Sequence, residues 1–127
     1  MEYYYNKTVN LPFDLAIEKV TALLKEEGFG ILTDIDVKKT LKKKLNVEFR
    51  NYRILGACNP PFAYQALQAE DKIGIMLPCN VIVQETMNGV EVAAVDPLTA
   101  MQVVENESLA DIAESVAGKL KSVIKRL

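Results

Sequence analysis

The sequence predicts an α+β fold, a two-layer sandwich with long helices covering one face of an antiparallel sheet. Three observations predict it. A stretch near each end carries apolar residues at helical spacing, and short strand-like runs fill the space between. Asn88-Gly89 separates two of these runs and reads as a two-residue hairpin turn, which makes that pair antiparallel. Helices and strands that each bury a single face must then stack on one another.

Along the chain, Tyr3, Tyr5 and Val9 alternate with more polar neighbours, so Glu2 to Val9 reads as a strand. Pro12 suits a helical first turn, and Phe13, Ala16, Ile17, Val20, Leu23 and Leu24 form one stripe down to Glu27. Gly28 is the expected stop. Phe29 to Asp36 is a second strand, and Asp36 caps a short helix whose buried side is Val37, Leu41 and Leu45. Tyr52 to Cys58 is a third strand. Asn59-Pro60-Pro61 then reads as an asparagine cap followed by proline at the first helical position, opening a helix to Ala69.

Ile73 to Leu77 is a short apolar run with no clear period. Val81 to Met87 and Val90 to Val95 flank the hairpin turn. Asp96-Pro97 opens a short helical segment to Val104. The last helix places Leu109, Ile112, Ala113, Val116, Leu120, Val123, Ile124 and Leu127 on one face, with Ser108 and Asp111 spaced as a start signal. There is no internal repeat or linker, so residues 1–127 are read as one domain.

Composition narrows the chemistry. The chain has 127 residues, half of them apolar and a quarter charged, which suits a globular domain with a real core. Fifteen basic against seventeen acidic residues leave a net charge of −2, which argues against wholesale nucleic-acid binding. The absence of histidine excludes Ser-His-Asp triads, Cys-His dyads and His-ligated zinc within one chain. No apolar run reaches the ~18 residues of a membrane span, and the N-terminus has no signal-peptide pattern. The expectation is a cytoplasmic protein with reduced thiols and no membrane partner.

Three blocks carry a family resemblance. They are Gly28-Phe29-Gly30-Ile31-Leu32-Thr33-Asp34-Ile35-Asp36-Val37-Lys38, then Tyr52-Arg53-Ile54-Leu55-Gly56-Ala57-Cys58-Asn59-Pro60-Pro61, then Leu77-Pro78-Cys79-Asn80-Val81. In this order they resemble the family known as domain of unknown function 302, over nearly the whole chain. The resemblance implies a two-layer α/β sandwich of TATA-binding-protein-like topology. It supplies no activity, and fold alone does not carry DNA binding.

The candidate site residues are Cys58, Asn59, Cys79, Asn80, Glu85, Lys38 and Arg53. Cys58 ends one strand and Cys79 begins the next, so antiparallel pairing would set both thiols at one edge of the sheet, each followed by an asparagine. Cys58 also abuts a helix N-terminus, which favours thiolate. The pair suits a reversible disulfide, a two-coordinate soft-metal site or a sulfur nucleophile. It equally suits two small residues filling a core, with Asn59 a mere cap. Glu85 shares a strand face with Cys79, Val81 and Val83, opposite Val92 across the turn. It is either a carboxylate on an apolar face or a rim residue.

Lys38, Lys39, Lys42, Lys43, Lys44, Arg50 and Arg53 face a single Glu48 within 37–53. This run is a solvated helix face or an anion site, and Lys38 and Arg53 lie inside the family-like blocks. The leading reading is a ligand-binding or interaction module, expected as a homodimer because an open sheet leaves one face without cover. A thiol-redox or soft-metal protein using Cys58 and Cys79 is the alternative, and an anion or nucleic-acid binder through 38–53 the third. No nucleophile–base pair suggests conventional catalysis, and no cofactor is named by the sequence.

Overall fold

The structure is a computed structural model and describes residues 2–127. Five strands, β1 (Tyr4–Val9), β2 (Gly30–Asp36), β3 (Tyr52–Cys58), β4 (Cys79–Thr86) and β5 (Gly89–Val95), form one sheet in the order β1-β5-β4-β3-β2. Every neighbouring pair is antiparallel. Strand alternation sends Leu55, Ala57, Val81, Val83, Val92 and Ala94 to one face, all at most 1% exposed. That face packs on α1 (Phe13–Glu26) through Ala16, Val20 and Leu24, and on α5 (Ala110–Arg126) through Val116, Leu120 and Val123. Spacings of three and four residues align each set along its helix, so the stripes read from the sequence are the buried faces.

The ends of these helices follow from local chemistry. Phe29 N donates to Leu24 O at 2.9 Å and Gly28 N to Lys25 O at 3.0 Å. This Schellman closure needs a left-handed residue, which Gly28 supplies at φ 88°. At the other end of the chain, Lys7 Nζ donates to the Leu127 carbonyl at 2.6 Å and to that of Lys125 at 3.2 Å, bringing a cation to the C-terminal carbonyls of α5.

Four local expectations are corrected. The hairpin loop is Met87-Asn88, with Thr86 paired to Gly89, so Glu85 stands opposite Val90 and not Val92. An Asn-Gly turn of the expected kind needs Asn88 at positive φ, and among the described non-glycine residues only Asn46 has one. Gly89 is instead required for close approach of β1: a Cβ there would sit 2.8 Å from the Val9 carbonyl oxygen.

The helix after Asp36, α2 (Val37–Leu45), is capped as expected, with Lys39 N donating to Asp36 Oδ1 at 3.0 Å. It buries no residue, however, and Leu45 is 66% exposed. Nine residues give two and a half turns, and the five lysines leave too narrow an apolar stripe to dock the helix. Asn59 precedes α3 (Pro60–Ala69) but does not cap it; its Nδ2 donates to the Glu27 carbonyl at 3.1 Å. Prolines at the first two helical positions leave fewer N–H groups to cap. Finally, Ser108 does not start α5. Asn106 accepts from Ser108 N at 3.0 Å and opens a 3-10 turn, Glu107–Leu109, that runs into the helix.

The undecided run 73–77 falls in a 3-10 helix, Asp71–Met76, with Ile73 1% exposed. Asp96 caps α4 (Pro97–Ala100), and a 3-10 turn Met101–Val103 completes the short helical segment. Ile73, Ala66 and Leu109 form a second buried cluster with Leu77, Met101 and Ile112 packed on it. Ile112 also touches the main core. Among the described residues, no helix is long and apolar enough to cross a membrane.

Candidate functional site

The seven sequence candidates divide between the two ends of the sheet. Cys79 pairs with Ala57 and Asn80 with Gly56, so Cys58, Asn59, Cys79 and Asn80 gather at one end. Arg53 pairs with Val83, and Lys38 and Glu85 lie at the same, opposite end. Arg53 and Cys58 are five residue steps apart along β3, about 17 Å at strand rise. They do not form one site.

At the Arg53 end the charges are engaged or in solvent. Arg53 Nη1 meets Asp34 Oδ2 at 2.9 Å and its Nε meets Asp36 Oδ2 at 3.5 Å. Glu85 is exposed, accepts from Asn51 Nδ2 at 3.1 Å and sits at the rim beside the hairpin. Lys38 is exposed on α2, and Lys42 pairs with Glu48 at 2.7 Å. Arg50 stacks over Phe49, 4.4 Å from its centroid, and donates to Gln84 Oε1 at 2.8 Å.

The cysteine end holds a cavity of about 290 Å³ between the main core and the second cluster. Its floor is Phe29, Ala57 and Val116 from the core. Ala63 and Ala66 of α3, Met101, and Leu109 with Ala113 close the sides. Alanines at 63, 66 and 113 explain the space: methyl groups on facing helices stop short of one another, so the two clusters do not merge. Both cysteines line this cavity, and Asn59 is its only other polar side chain. A β-bulge between Ile31 and Thr33 leaves Leu32 out of the ladder, and Leu32 joins the wall while remaining 67% exposed. With Leu67, 43% exposed, it marks the mouth.

A second cavity of about 240 Å³ adjoins the first and shares Leu77, Pro78, Cys79, Pro97 and Met101 with it. Ile75, 82% exposed, and Asn80 lie on its outer side. Cys79 therefore stands in the partition between the two.

The thiols are unbridged. Burial pushes the Cys79 thiol up to about 11, and the neighbouring Cys58 adds to the shift. Cys79 is thus a neutral S–H at physiological pH, a small apolar wall group more than a nucleophile. Thiolate chemistry or soft-metal binding here must first remove that proton. Nor does the start of α3 offer a full anion site, because Pro60 and Pro61 carry no backbone N–H. Among the described residues, no group of three or more His, Cys, Asp or Glu side chains gathers as a metal site of that size would.

Sequence reasoning found the cysteine end and missed the cavity, whose walls read as ordinary core positions. Ala63, Ala66 and Ala113 stand on two helices 47 residues apart and carry no local mark of the space they share.

This architecture, an antiparallel sheet under two long helices with an apolar cavity at one end, defines a small two-layer α+β domain. The chain belongs to the family described as "Domain of unknown function DUF302", whose model matches residues 5–127. The crystal structure of an uncharacterised conserved DUF302 protein from Bacillus stearothermophilus superposes with a TM-score of 0.92. It is 26% identical in sequence, with 99% of this chain and 98% of that one covered. No curated protein matches the chain. The family assigns no function.

Proposed function

We propose that the protein is a binding module for a small apolar molecule held in the cavity between Cys58, Cys79, Ala66 and Met101. The observation that carries this reading is the cavity itself: about 290 Å³, lined by aliphatic, aromatic and sulfur side chains with one asparagine. Well-packed interiors leave few voids larger than a water molecule. A cavity of ~150 Å³ lined by Leu, Ile and Phe stays dry and takes up benzene; this one has roughly twice that volume. Exposed Leu32 and Leu67 at its mouth give an apolar approach.

The test is titration of the full chain with 1-octanol, followed by amide and methyl chemical shifts. Shifts should concentrate on α3, Met101 and the Cys79 strand end, and Ala66→Leu, which fills the cavity, should abolish them. Leu32→Trp places its bulk at an exposed position and blocks the mouth without burdening the core. Octanol shifts spread evenly over the surface, or unchanged in both variants, would refute the assignment.

A specific observation also favours a second, compatible feature, the expected homodimer. On the sheet face away from α1 and α5, Ile35, Ile54, Ile82 and Ala93 stand in register across four strands. Ile35 is 46% exposed. An isologous pairing of two such faces would cover the row. Sedimentation should give a dimer that Ile82→Lys converts to monomer; a monomeric parent chain at millimolar concentration would remove the idea.

A further inference from the structure

We infer that the ligand is an uncharged amphiphile, its chain or ring in the larger cavity and its neutral polar group in the smaller one beside Asn80. The inference rests on the apolar-ligand reading and adds the ligand's charge and shape.

Shape follows from the pair of cavities. They adjoin and share five wall residues, with Cys79 in the wall between them. The inner part offers Phe29, Phe62, Leu109 and Val116 but no polar side chain beyond Asn59 and the thiols. Asn59 is 8% exposed and donates one amide N–H to the Glu27 carbonyl, which fixes its orientation in the wall. The outer part carries Asn80, an exposed amide able both to donate and to accept. An amphiphile is the ligand that matches one apolar and one mixed compartment.

Charge follows from what the walls contain. Among the described residues, neither cavity is lined by Lys, Arg, Asp or Glu. Two backbone sources of compensation are also closed. Pro60 and Pro61 remove N–H donors at the start of α3, and Asp96 Oδ1 already accepts from Leu98 N at 3.0 Å at the start of α4. An ion drawn into the inner part sheds water without gaining a partner, and one held in the outer part finds no opposite charge on the walls to favour it over a neutral group. The basic run of α2 lies at the other end of the sheet, beyond one ligand length. A protonated thiol at Cys79 adds no charge either. An alcohol, ester, ketone or quinone head meets these conditions; a carboxylate, phosphate or ammonium does not.

The experiment compares three probes of equal chain length on the full chain at neutral pH: 1-octanol, octanoate and octylammonium. Each is titrated by NMR, with Leu32→Trp and Ala66→Leu as site controls. Octanol should bind at least ~10-fold tighter than either ion, a difference of about 1.4 kcal/mol, and only octanol should shift the Asn80 side-chain amide. Octanoate or octylammonium binding within twofold of octanol at the same residues overturns the charge assignment while leaving an apolar cavity site intact. Failure of all three to bind overturns both readings.

Discussion

The two ends of the sheet solve the same problem in opposite ways. At the Arg53 end, a strand terminus meets water through ion pairs to Asp34 and Asp36, an Arg50 stack on Phe49, and a lysine-rich helix that buries nothing. At the Cys58 end, the chain covers the sheet with α3, three 3-10 segments and the start of α5, all apolar inward, yet leaves a cavity beneath them. The polar end is held by exposed interactions of small individual worth. The apolar end is held by burial, and its incomplete packing costs stability that a closed core would keep. That retained space is what the proposed ligand would fill.

Mutations can sharpen that contrast. The largest effect is expected in the core that underlies both ends. Leu120, fully buried between α5 and the sheet, should cost about 2–5 kcal/mol when cut to alanine, read as a fall in the urea midpoint. An equal cost for Leu67→Ala would break the contrast. Leu67 is 43% exposed at the cavity mouth, so its truncation should change stability by under about 0.5 kcal/mol while weakening octanol binding severalfold.

Gly89→Ala comes next. Its φ of 131° and the 2.8 Å approach of a Cβ to the Val9 oxygen should cost about 1–3 kcal/mol and loosen β1 from β5. Hydrogen exchange of the β1 amides would show it; unchanged protection would mean that the strand pair relaxes around a side chain.

A smaller, pH-dependent effect distinguishes Cys79. Its folded pKa of about 11 lies above the ordinary value of 9.0, so the unfolded chain releases this proton first. The stability contributed by the protonated thiol is complete below pH 9 and is lost as pH rises toward 11. Cys79→Val should lack that component, so the urea midpoints of the two proteins should diverge in the variant's favour across this window. Parallel curves would place Cys79 in a wetter setting.

Smallest is Arg53→Ala. Its pairs are partly exposed, and the loss should stay under about 1 kcal/mol and shrink further in 1 M salt.

Much of this fold is legible in the sequence because its determinants are local and periodic. The stripe Ala16, Val20, Leu24 and its counterpart Val116, Leu120, Val123 are the faces that α1 and α5 bury. β3 and α3 begin and end where proline and strand composition say they should. What escapes is decided by partners distant in sequence. Asn59 turns from the cap of α3 to the carbonyl of Glu27 because α1 ends beside it. The hairpin lies one residue earlier than Asn88-Gly89, which puts Gly89 in β5 where Val9 of β1 leaves no room for a Cβ. The cysteine end could be placed from strand order, but the cavity could not. It exists only in the gap between α3 and α5, whose alanines give no sign in one dimension of what they face.

An apolar chain held inside the Cys58–Cys79 end of the molecule would give intermolecular NOEs from octanol. Contacts are expected from the alcohol's terminal methyl to the Ala66 and Ala113 methyls and from its carbinol protons to Asn80. Contacts instead to Ile35 or Leu45, at the far end of the sheet, with none to Ala66 or Ala113, would contradict that placement.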